Sequence, residues 1–212
     1  MKLISPYYKL LDTIDAASIM NRIERAGRTC YKSEDKITKY SAEKFIQMLI
    51  NRGHESVLEH EKISVLFVCD RGISHEIVRH RIASFSQEST RYCNYSKAGF
   101  GSEITFIIPP FEEDGDDLRS DFEVEWRNAM KNAEMSYLNL IKMGISPQYA
   151  RSVLPNSLKT EIVVTANLRE WRTIFKQRTS KAAHPQMRQL MCPLLDDLKY
   201  NIPIIFDDIN YE

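Results

Sequence analysis

The sequence lacks any apolar run long enough to cross a membrane. The longest runs, such as residues 65–69, fall far short of the roughly 20 apolar residues that a transmembrane helix needs. The N-terminal residues MKLISPYYKLLD also lack the apolar stretch and the small-residue cleavage site of a signal peptide. From these two absences we expect a cytoplasmic protein without a membrane partner.

Cysteine is scarce, and its spacing excludes a zinc site. None of the four cysteines (Cys30, Cys69, Cys93 and Cys192) belongs to a C-x-x-C pair. We therefore expect reduced thiols and no bound metal. The spacing of His54 and His60 also differs from the i, i+4 spacing that helical metal ligands favour.

The chain has neither a basic excess nor a glycine-rich dinucleotide loop. Its 29 basic residues are balanced by 29 acidic ones, whereas nucleic-acid-binding domains usually show a clear basic excess. No aromatic-rich RNA motif is visible, so an RNA-binding module is a weak alternative and we expect no nucleic-acid partner. The only G-x-G, at residues 99–101, has no third glycine and does not open a convincing helix, which argues against a Rossmann site.

The pattern of apolar residues predicts an α/β protein with more helix than strand. We expect a loop or an irregular strand at residues 82–95 and a surface loop in the acidic segment before residue 122. The order of elements does not show the regular βαβ alternation of a doubly wound sheet. We expect strands at residues 61–69, 104–108 and 162–166, and helices at residues 16–26, 41–51, 71–80, 122–143, 147–153, 168–177 and 185–199.

Charge is balanced overall but unevenly spread. Residues 112–125 include eight acidic side chains and one arginine, whereas residues 151–188 include eight basic side chains and two glutamates. The basic stretch fits either a local anion site or a solvated helix face. From charge alone both readings stay open.

The densest polar cluster is the run RHRIASFSQESTRY at residues 79–92. Three arginines, a histidine and several hydroxyls are unlikely in a core, and such side chains bind phosphate. The cluster therefore predicts a phosphate-bearing ligand, with a solvated helix end as the alternative. Ser89 has no base established by the sequence, so we interpret it as a phosphate ligand rather than a nucleophile.

Several segments of the chain resemble the flavin-dependent thymidylate synthases. Arg79-His80-Arg81, seven residues and Ser89 match the R-H-R-x7-S pattern of that family. In the expected order, three further segments resemble its other motifs: HESVLEH at residues 54–60, ARSVLP at residues 150–155, and Asn167-Leu168-Arg169 followed by Arg178. The resemblance runs from about residue 54 to residue 188.

The resemblance implies a single domain over residues 1–212, with a helix-rich α/β (α+β) fold around a mixed or antiparallel sheet, not a Rossmann fold. It implies conversion of dUMP to dTMP, with FAD, NADPH and methylenetetrahydrofolate taking part. It also implies a homotetramer with active sites shared between subunits. Reduced flavin delivers hydride in this family, so no cysteine nucleophile is needed, and no cysteine here follows a proline.

The family's residue roles can be carried over to matching positions. Arg178 matches the arginine beside the uracil ring and is the expected catalytic residue. The expected flavin contacts are His54 (near flavin and folate), Ser56, Arg79, His80, Arg81, Gln87, Asn167 and Arg169. The expected dUMP contacts, with Ser89 and Arg91 on the phosphate, are Glu76, Arg79, Gln87, Glu88, Ser89, Thr90, Arg91, Arg151 and Arg178.

The chain departs from the family pattern at three places. Glu76 replaces the common glutamine, Ser86-Gln87 replaces Asn-Glu, and His184 stands in the segment after the uracil arginine. A carboxylate at position 76 near a phosphate needs protonation or an arginine partner. Two rival functions follow: a flavoprotein that modifies another pyrimidine nucleotide, and a nucleotide-binding protein without catalysis.

Overall fold

A computed structural model describes residues 1–97, 99, 101–111 and 116–211, and of residues 116–120 it describes the backbone alone. In the described part of the chain, 3-10 turns lie at Glu34–Lys36, Glu55–His60 and Arg151–Val153. The strands are β1 (Lys2–Ile4), β2 (Tyr7–Leu10), β3 (Lys62–Asp70), β4 (Ala83–Gln87), β5 (Thr105–Ile107) and β6 (Lys159–Asn167). The helices are α1 (Ala16–Tyr31), α2 (Ala42–Asn51), α3 (Arg71–Ile77), α4 (Asp116–Lys142), α5 (Pro147–Ala150), α6 (Leu168–Arg178) and α7 (Pro185–Asn201).

The strands form two small sheets. Four strands pair in the order β2-β3-β6-β4, and β1 pairs in parallel with β5, with Leu3 opposite Phe106. Strand β6 alternates in burial along its whole length, so one face of the strand is covered and the other is partly open. The predicted class, a helix-rich α/β (α+β) fold that is not doubly wound, is confirmed.

The chain divides into two compact units. Unit 1 comprises Met1–Tyr7, Phe67–Ile77 and Ser86–Ile162, and unit 2 comprises Tyr8–Leu66, Val78–Phe85 and Val163–Glu212. The expectation of one domain over residues 1–212 stays a prediction.

The core of unit 1 forms where α4 packs on the segment around β5. Tyr137 and Phe106 are fully buried there, with Ile104, Leu158 and Met130 beside them. The hydroxyl of Tyr137 also accepts a hydrogen bond from the backbone N–H of Tyr95 (3.4 Å). This core is anchored to the N-terminus of the chain, since the Met1 ammonium lies 3.0 Å from both Glu103 and Glu134 carboxylates.

The core of unit 2 contains an aromatic cluster. Trp171 stacks on Phe175 (5.6 Å between ring centroids), and Phe175 meets Phe206 edge to face. The Trp171 indole N–H donates to the backbone carbonyl of Ile63 (3.0 Å), which satisfies its one polar atom. Helix α6 is thereby fixed to strand β3, in which Ile63 lies.

Most predicted elements are confirmed with shifted ends, but three expectations were wrong or incomplete. The acidic segment is not a loop throughout: α4 begins at Asp116, because acidic residues in a first helical turn are stabilised by the helix dipole. Its residues 112–115 lie outside the described residues. Strands β1 and β2 were missed because such short strands give no recognisable alternation. Helix α3 ends at Ile77, three residues earlier than expected.

Candidate functional site

The phosphate-binding candidates of unit 1 lie on a turn that follows β4. The Ser89 hydroxyl accepts from the backbone N–H of Arg91 (3.3 Å). The Ser89 backbone carbonyl accepts from the backbone N–H groups of Tyr92 and Cys93. Thr90, within this turn, is buried (5% exposed), whereas Arg91 is exposed. The turn thus holds the Ser89 and Arg91 side chains close together along the backbone.

Arg151 is brought to this turn from a distant part of the sequence. Its Nη1 donates to Oγ1 of Thr90 at 3.0 Å. Arg151 begins the 3-10 turn that follows α5, where Pro147 stands at the first helical position. The predicted dUMP contacts Ser89, Thr90, Arg91 and Arg151 therefore form one local group rich in hydroxyl and guanidinium donors.

Two other predicted dUMP contacts are engaged with neighbours inside unit 1. The Gln87 amide N donates to the hydroxyls of Ser74 (2.8 Å) and Thr160 (3.2 Å). The Glu88 carboxylate accepts from the Tyr95 hydroxyl (2.9 Å) and from the Lys159 ammonium (3.0 Å). Both side chains thus stabilise the strand ends that carry the turn.

Glu88 also lines a cavity of about 390 Å³ in unit 1. Its other lining residues include Thr105, Glu103 and Glu161, and Lys159 bridges Glu88 to Glu161 (2.5 Å). Desolvation and the nearby Glu88 charge raise the pKa of the Tyr95 hydroxyl far above its usual range, so it stays a donor. Glu76, the other predicted dUMP contact, is half-buried on α3.

Helix α3 owes its position to a cap. The Asp70 carboxylate accepts from the backbone N–H of Ile73 at 2.7 Å. Strand β3 passes into α3 without a loop, so Arg79, His80 and Arg81 follow shortly after the helix end. Of these three, Arg79 and Arg81 are exposed and His80 is buried.

The segment HESVLEH (residues 54–60) forms a 3-10 turn over Glu55–His60 in unit 2. Val57 and Leu58 are buried and anchor the turn, while His54 and Ser56 are exposed. The His54 Nδ1 lies 2.9 Å from the Tyr31 hydroxyl at the end of α1. This contact fixes the histidine that the resemblance places near flavin and folate.

A second cavity, of about 380 Å³, lies in unit 2 and holds two of the predicted flavin contacts. Arg81 and Asn167 line it, together with Lys62 and Glu59. The Asn167 side-chain oxygen caps α6 by accepting from the Glu170 backbone N–H (2.8 Å). This donor set suits a dianionic phosphate group, since arginine and lysine are its usual ligands.

Arg169, a further predicted flavin contact, is paired with an acid. Its Nη1 lies 2.5 Å from the Glu59 carboxylate, and both side chains are about half exposed. The Glu59 charge raises the Arg169 pKa through their hydrogen bond. The Glu59 partner of this pair also lines the second cavity.

Arg178, the expected catalytic residue, contacts a buried histidine in unit 2. Its Nε donates to His80 Nε2 at 3.0 Å, and His80 Nδ1 lies 3.5 Å from the Glu170 carboxylate. Burial, followed by the Arg178 charge, lowers the pKa of His80 to about 4. The imidazole is therefore neutral near pH 7, and it accepts at Nε2 because Nδ1 carries the proton.

Arg172 belongs to the basic stretch but is neither an anion ligand nor a solvated side chain. It is fully buried, and its guanidinium contacts Glu55 (3.0 Å), Asp208 (2.6 Å) and the Ile205 carbonyl. It therefore ties the 3-10 turn at Glu55–His60 to α6. Sequence reasoning gave no sign of this, since its acidic partners lie more than thirty residues away.

Sequence reasoning also missed four supporting residues of the candidate sites, which are Tyr31, Lys62, Lys159 and Glu170. Each contacts a predicted site residue, or lines a cavity with one, that lies far away in the sequence. Glu170 carried one signal, because an acid three residues after an N-cap is typical of a capping box. His184, by contrast, has a structural role, since its Nδ1 accepts from the backbone N–H of Gln186 (3.2 Å) and caps α7.

The buried thiols are poorly suited to nucleophilic attack. Burial raises the pKa of Cys69 to about 12, and it also raises the pKa values of Cys93 and Cys192. The described residues contain no group of three His, Cys, Asp or Glu side chains placed to hold a metal ion. In the same part of the chain, no helix is both long and apolar enough to cross a bilayer.

Comparison with known proteins agrees with the motifs. Residues 9–204 match the family described as thymidylate synthase complementing protein. The flavin-dependent thymidylate synthase of Pyrococcus furiosus is 32% identical over 191 residues, covering 89% of this chain and 74% of that protein. The one from Geobacter sulfurreducens is 34% identical over 190 residues, covering 86% and 78%.

A solved structure shares the fold. The UMP/dUMP methylase PolB from Streptomyces cacaoi, bound with 5-Br dUMP, superposes with a TM-score of 0.79 at 23% identity, over 98% of this chain and 96% of that one. At this identity the likeness concerns the fold alone. The match over residues 9–204 and the two relatives show that this chain belongs to the thymidylate synthase complementing protein family, the family of the flavin-dependent thymidylate synthases.

Proposed function

We propose that the protein is a flavin-dependent thymidylate synthase that converts dUMP to dTMP. Methylenetetrahydrofolate would donate the one-carbon group, and FAD reduced by NADPH would supply the hydride. The observation that carries this proposal is the family match over residues 9–204, within which the R-H-R-x7-S pattern is complete. We treat residues 1–212 as one functional domain.

The nucleotide phosphate is assigned to the turn of unit 1. Ser89 and Arg91 supply a hydroxyl and a guanidinium, and Arg151 adds a second guanidinium that Thr90 holds in place. Arginine suits this role because its planar fork binds phosphate oxygens in pairs. Gln87 and Glu88 support the turn through Ser74, Thr160 and Lys159.

Arg178 is assigned to the uracil ring. Activation of carbon 5 builds negative charge on N3 and the carbonyl oxygens, and a fixed guanidinium stabilises that charge. Removing one such donor typically costs about 3 kcal/mol of barrier. His80 remains a predicted flavin contact, but it brings no charge, because its imidazole is neutral and its Nε2 is occupied by Arg178.

The residues of unit 2 fit a flavin dinucleotide. Arg81 and Lys62 place two cations around one cavity. Asn167 and the exposed Arg79 follow the family pattern. His54 and Ser56 come from the 3-10 turn. These cations suit the pyrophosphate of FAD, which has no Rossmann glycine loop to hold it in this chain. When bound, the flavin supplies the hydride.

The proposal is tested by a visible absorption spectrum. The protein is incubated with FAD, desalted, reduced anaerobically with NADPH, and then mixed with dUMP. A retained flavin spectrum that bleaches with NADPH and shifts with dUMP supports the cofactor, reductant and substrate together. A colourless protein that still binds dUMP would favour a nucleotide-binding protein without catalysis.

A second candidate substrate is UMP. The solved structure of the same fold belongs to a protein named as a UMP/dUMP methylase, and this chain departs from the family pattern at Glu76 and Ser86-Gln87. Spectral titration with dUMP and UMP in parallel separates the two. A UMP affinity equal to or above that of dUMP would move the assignment to a flavoprotein acting on ribonucleotides.

A further inference from the structure

We propose that Glu170 is a positioning residue that sets the orientation of the Arg178 guanidinium through His80. Because the role concerns Arg178, the inference rests on the proposed function. It concerns three side chains of unit 2, and two of them sit on α6.

His80 can hold Arg178 only in one protonation state and one ring orientation. Arg178 Nε is a donor, and guanidinium has no acceptor atom. The 3.0 Å contact therefore requires a lone pair on His80 Nε2, which places the ring proton on Nδ1. Nδ1 faces the Glu170 carboxylate at 3.5 Å. An acceptor at this place favours the Nδ1–H tautomer and resists a flip of the ring.

The burial of Glu170 supports a specific role for its carboxylate. The residue is 8% exposed, and it stands three positions after Asn167, the N-cap of α6. Burying a carboxylate is costly, and desolvation raises the pKa of Glu170. Its carboxylate lies beside the His80 ring and can orient it, in the way that an acid orients the histidine of a catalytic triad.

The first test reads the tautomer directly. Protein labelled with ¹⁵N on the histidine rings is studied by NMR, and the His80 signal among the five histidines is identified by its loss in His80→Asn. The expected result is a single Nδ1–H tautomer in the unchanged protein and a mixture with the Nε2–H form in Glu170→Ala. An unchanged single tautomer in Glu170→Ala would overturn the proposal.

The second test reads turnover. Glu170→Ala is expected to lower kcat by about 10- to 100-fold, because a small misplacement of a catalytic group costs that much, while the KM for dUMP changes little. Glu170→Gln keeps an acceptor oxygen and is expected to recover most of the rate. Glu43→Ala is the matched control, since Glu43 is an exposed acid in the first turn of α2.

The outcomes are distinguishable from one another. Loss of kcat in Glu170→Ala with rescue by Glu170→Gln supports positioning. Equal losses of kcat in Glu170→Ala and Glu170→Gln, together with lost FAD retention, would show a structural role and overturn the proposal. A kcat of Glu170→Ala within twofold of that of the unchanged protein would also overturn it. If the unchanged protein makes no dTMP, the proposed function fails, whereas the tautomer measurement still decides whether Glu170 orients His80.

Discussion

Thr90 shows how a buried hydroxyl can hold a neighbouring predicted ligand-binding side chain in place. Its Oγ1 accepts from Arg151 at 3.0 Å, and this contact spans 61 positions of sequence. An arginine at the end of a short helical turn has many rotamers, and a hydrogen bond to a buried partner removes most of them. The group that we assign to the dUMP phosphate is therefore organised before the ligand arrives.

Thr90→Val tests this preorganisation. Valine keeps the shape but removes the acceptor, and a hydrogen bond of this kind contributes about 1 kcal/mol. We expect the KM for dUMP to rise about fivefold with kcat nearly unchanged, measured by steady-state kinetics. Thr173→Val on the exposed face of α6 is the control. An unchanged KM in Thr90→Val would show that Arg151 does not need this partner.

Arg178→Lys tests whether geometry or charge matters at the uracil ring. Lysine keeps the positive charge but loses the Nε–H that contacts His80 and the planar fork. We expect kcat to fall about 100-fold, equivalent to roughly 3 kcal/mol of barrier, with FAD still retained. Rapid-quench measurement of dTMP formation checks this. A rate near that of the unchanged protein would mean that a point charge suffices.

Sequence patterns single out candidate side chains within motifs but not the residues that support them. Ser89, Arg91 and Arg178 were proposed because they stand at fixed distances in short patterns, and their roles stay predictions. Tyr31 and Glu170 were not, because their contacts with His54 and His80 join positions 23 and 90 apart, and only the fold creates those contacts. Sequence reasoning also assigned Gln87 to ligands, which stays a prediction, but it did not foresee that the Gln87 amide N contacts Ser74 and Thr160.

At the scale of elements, α6 combines core packing with a predicted site residue. Its buried face carries Trp171 and Phe175, and its last turn carries Arg178. Caps and glycines mark several helix ends, as at Asp70 before α3 and at Gly53, whose positive φ of 72° follows the end of α2. Ser41 stands just before α2, but its hydroxyl does not cap the helix and donates to buried Glu24 instead (2.9 Å).

Arg172→Met tests the link between α6 and the 3-10 turn. The substitution removes a buried guanidinium from partly buried Glu55 and exposed Asp208, and losing hydrogen bonds between charged groups of this kind costs about 3 kcal/mol. We expect the melting temperature to fall by about 10 °C for a chain of this size. Arg127→Met is the control, since Arg127 forms an exposed pair with Glu123. Equal melting temperatures for the two variants would contradict a stabilising role for Arg172.

At the scale of the whole molecule, the family resemblance predicts a homotetramer. The surface of the single chain leaves several large apolar side chains exposed, among them Tyr40 (81%), Tyr92 (78%), Met143 (76%) and Tyr200 (87%). Exposed groups of this kind are often covered in assemblies. Light scattering on the eluting protein is expected to give about four times the 24.7 kDa of one chain. A species of one chain mass, with or without FAD, would contradict the tetramer.

The stability of the whole molecule should depend on pH through His80. Its pKa is about 4 in the folded protein, against about 6.5 in an unfolded chain, so the unfolded state binds more protons between these values. The contribution of neutral His80 is fully present above pH 6.5 and is lost as the pH falls towards 4. The free energy of unfolding should therefore drop by up to about 3 kcal/mol across that window.

Urea unfolding followed by circular dichroism between pH 7 and pH 4.5 measures this effect. His80→Gln cannot take up the proton, so its free energy of unfolding should fall less steeply with decreasing pH than that of the unchanged protein. Carboxylates such as Glu170 titrate in both proteins, and the difference between the two curves isolates the histidine. His75→Gln is the control because His75 is exposed. Parallel curves for the unchanged protein and His80→Gln would mean that burial and Arg178 do not hold His80 neutral. The basis for the hydrogen bond from Arg178 Nε to His80 Nε2 would then be lost.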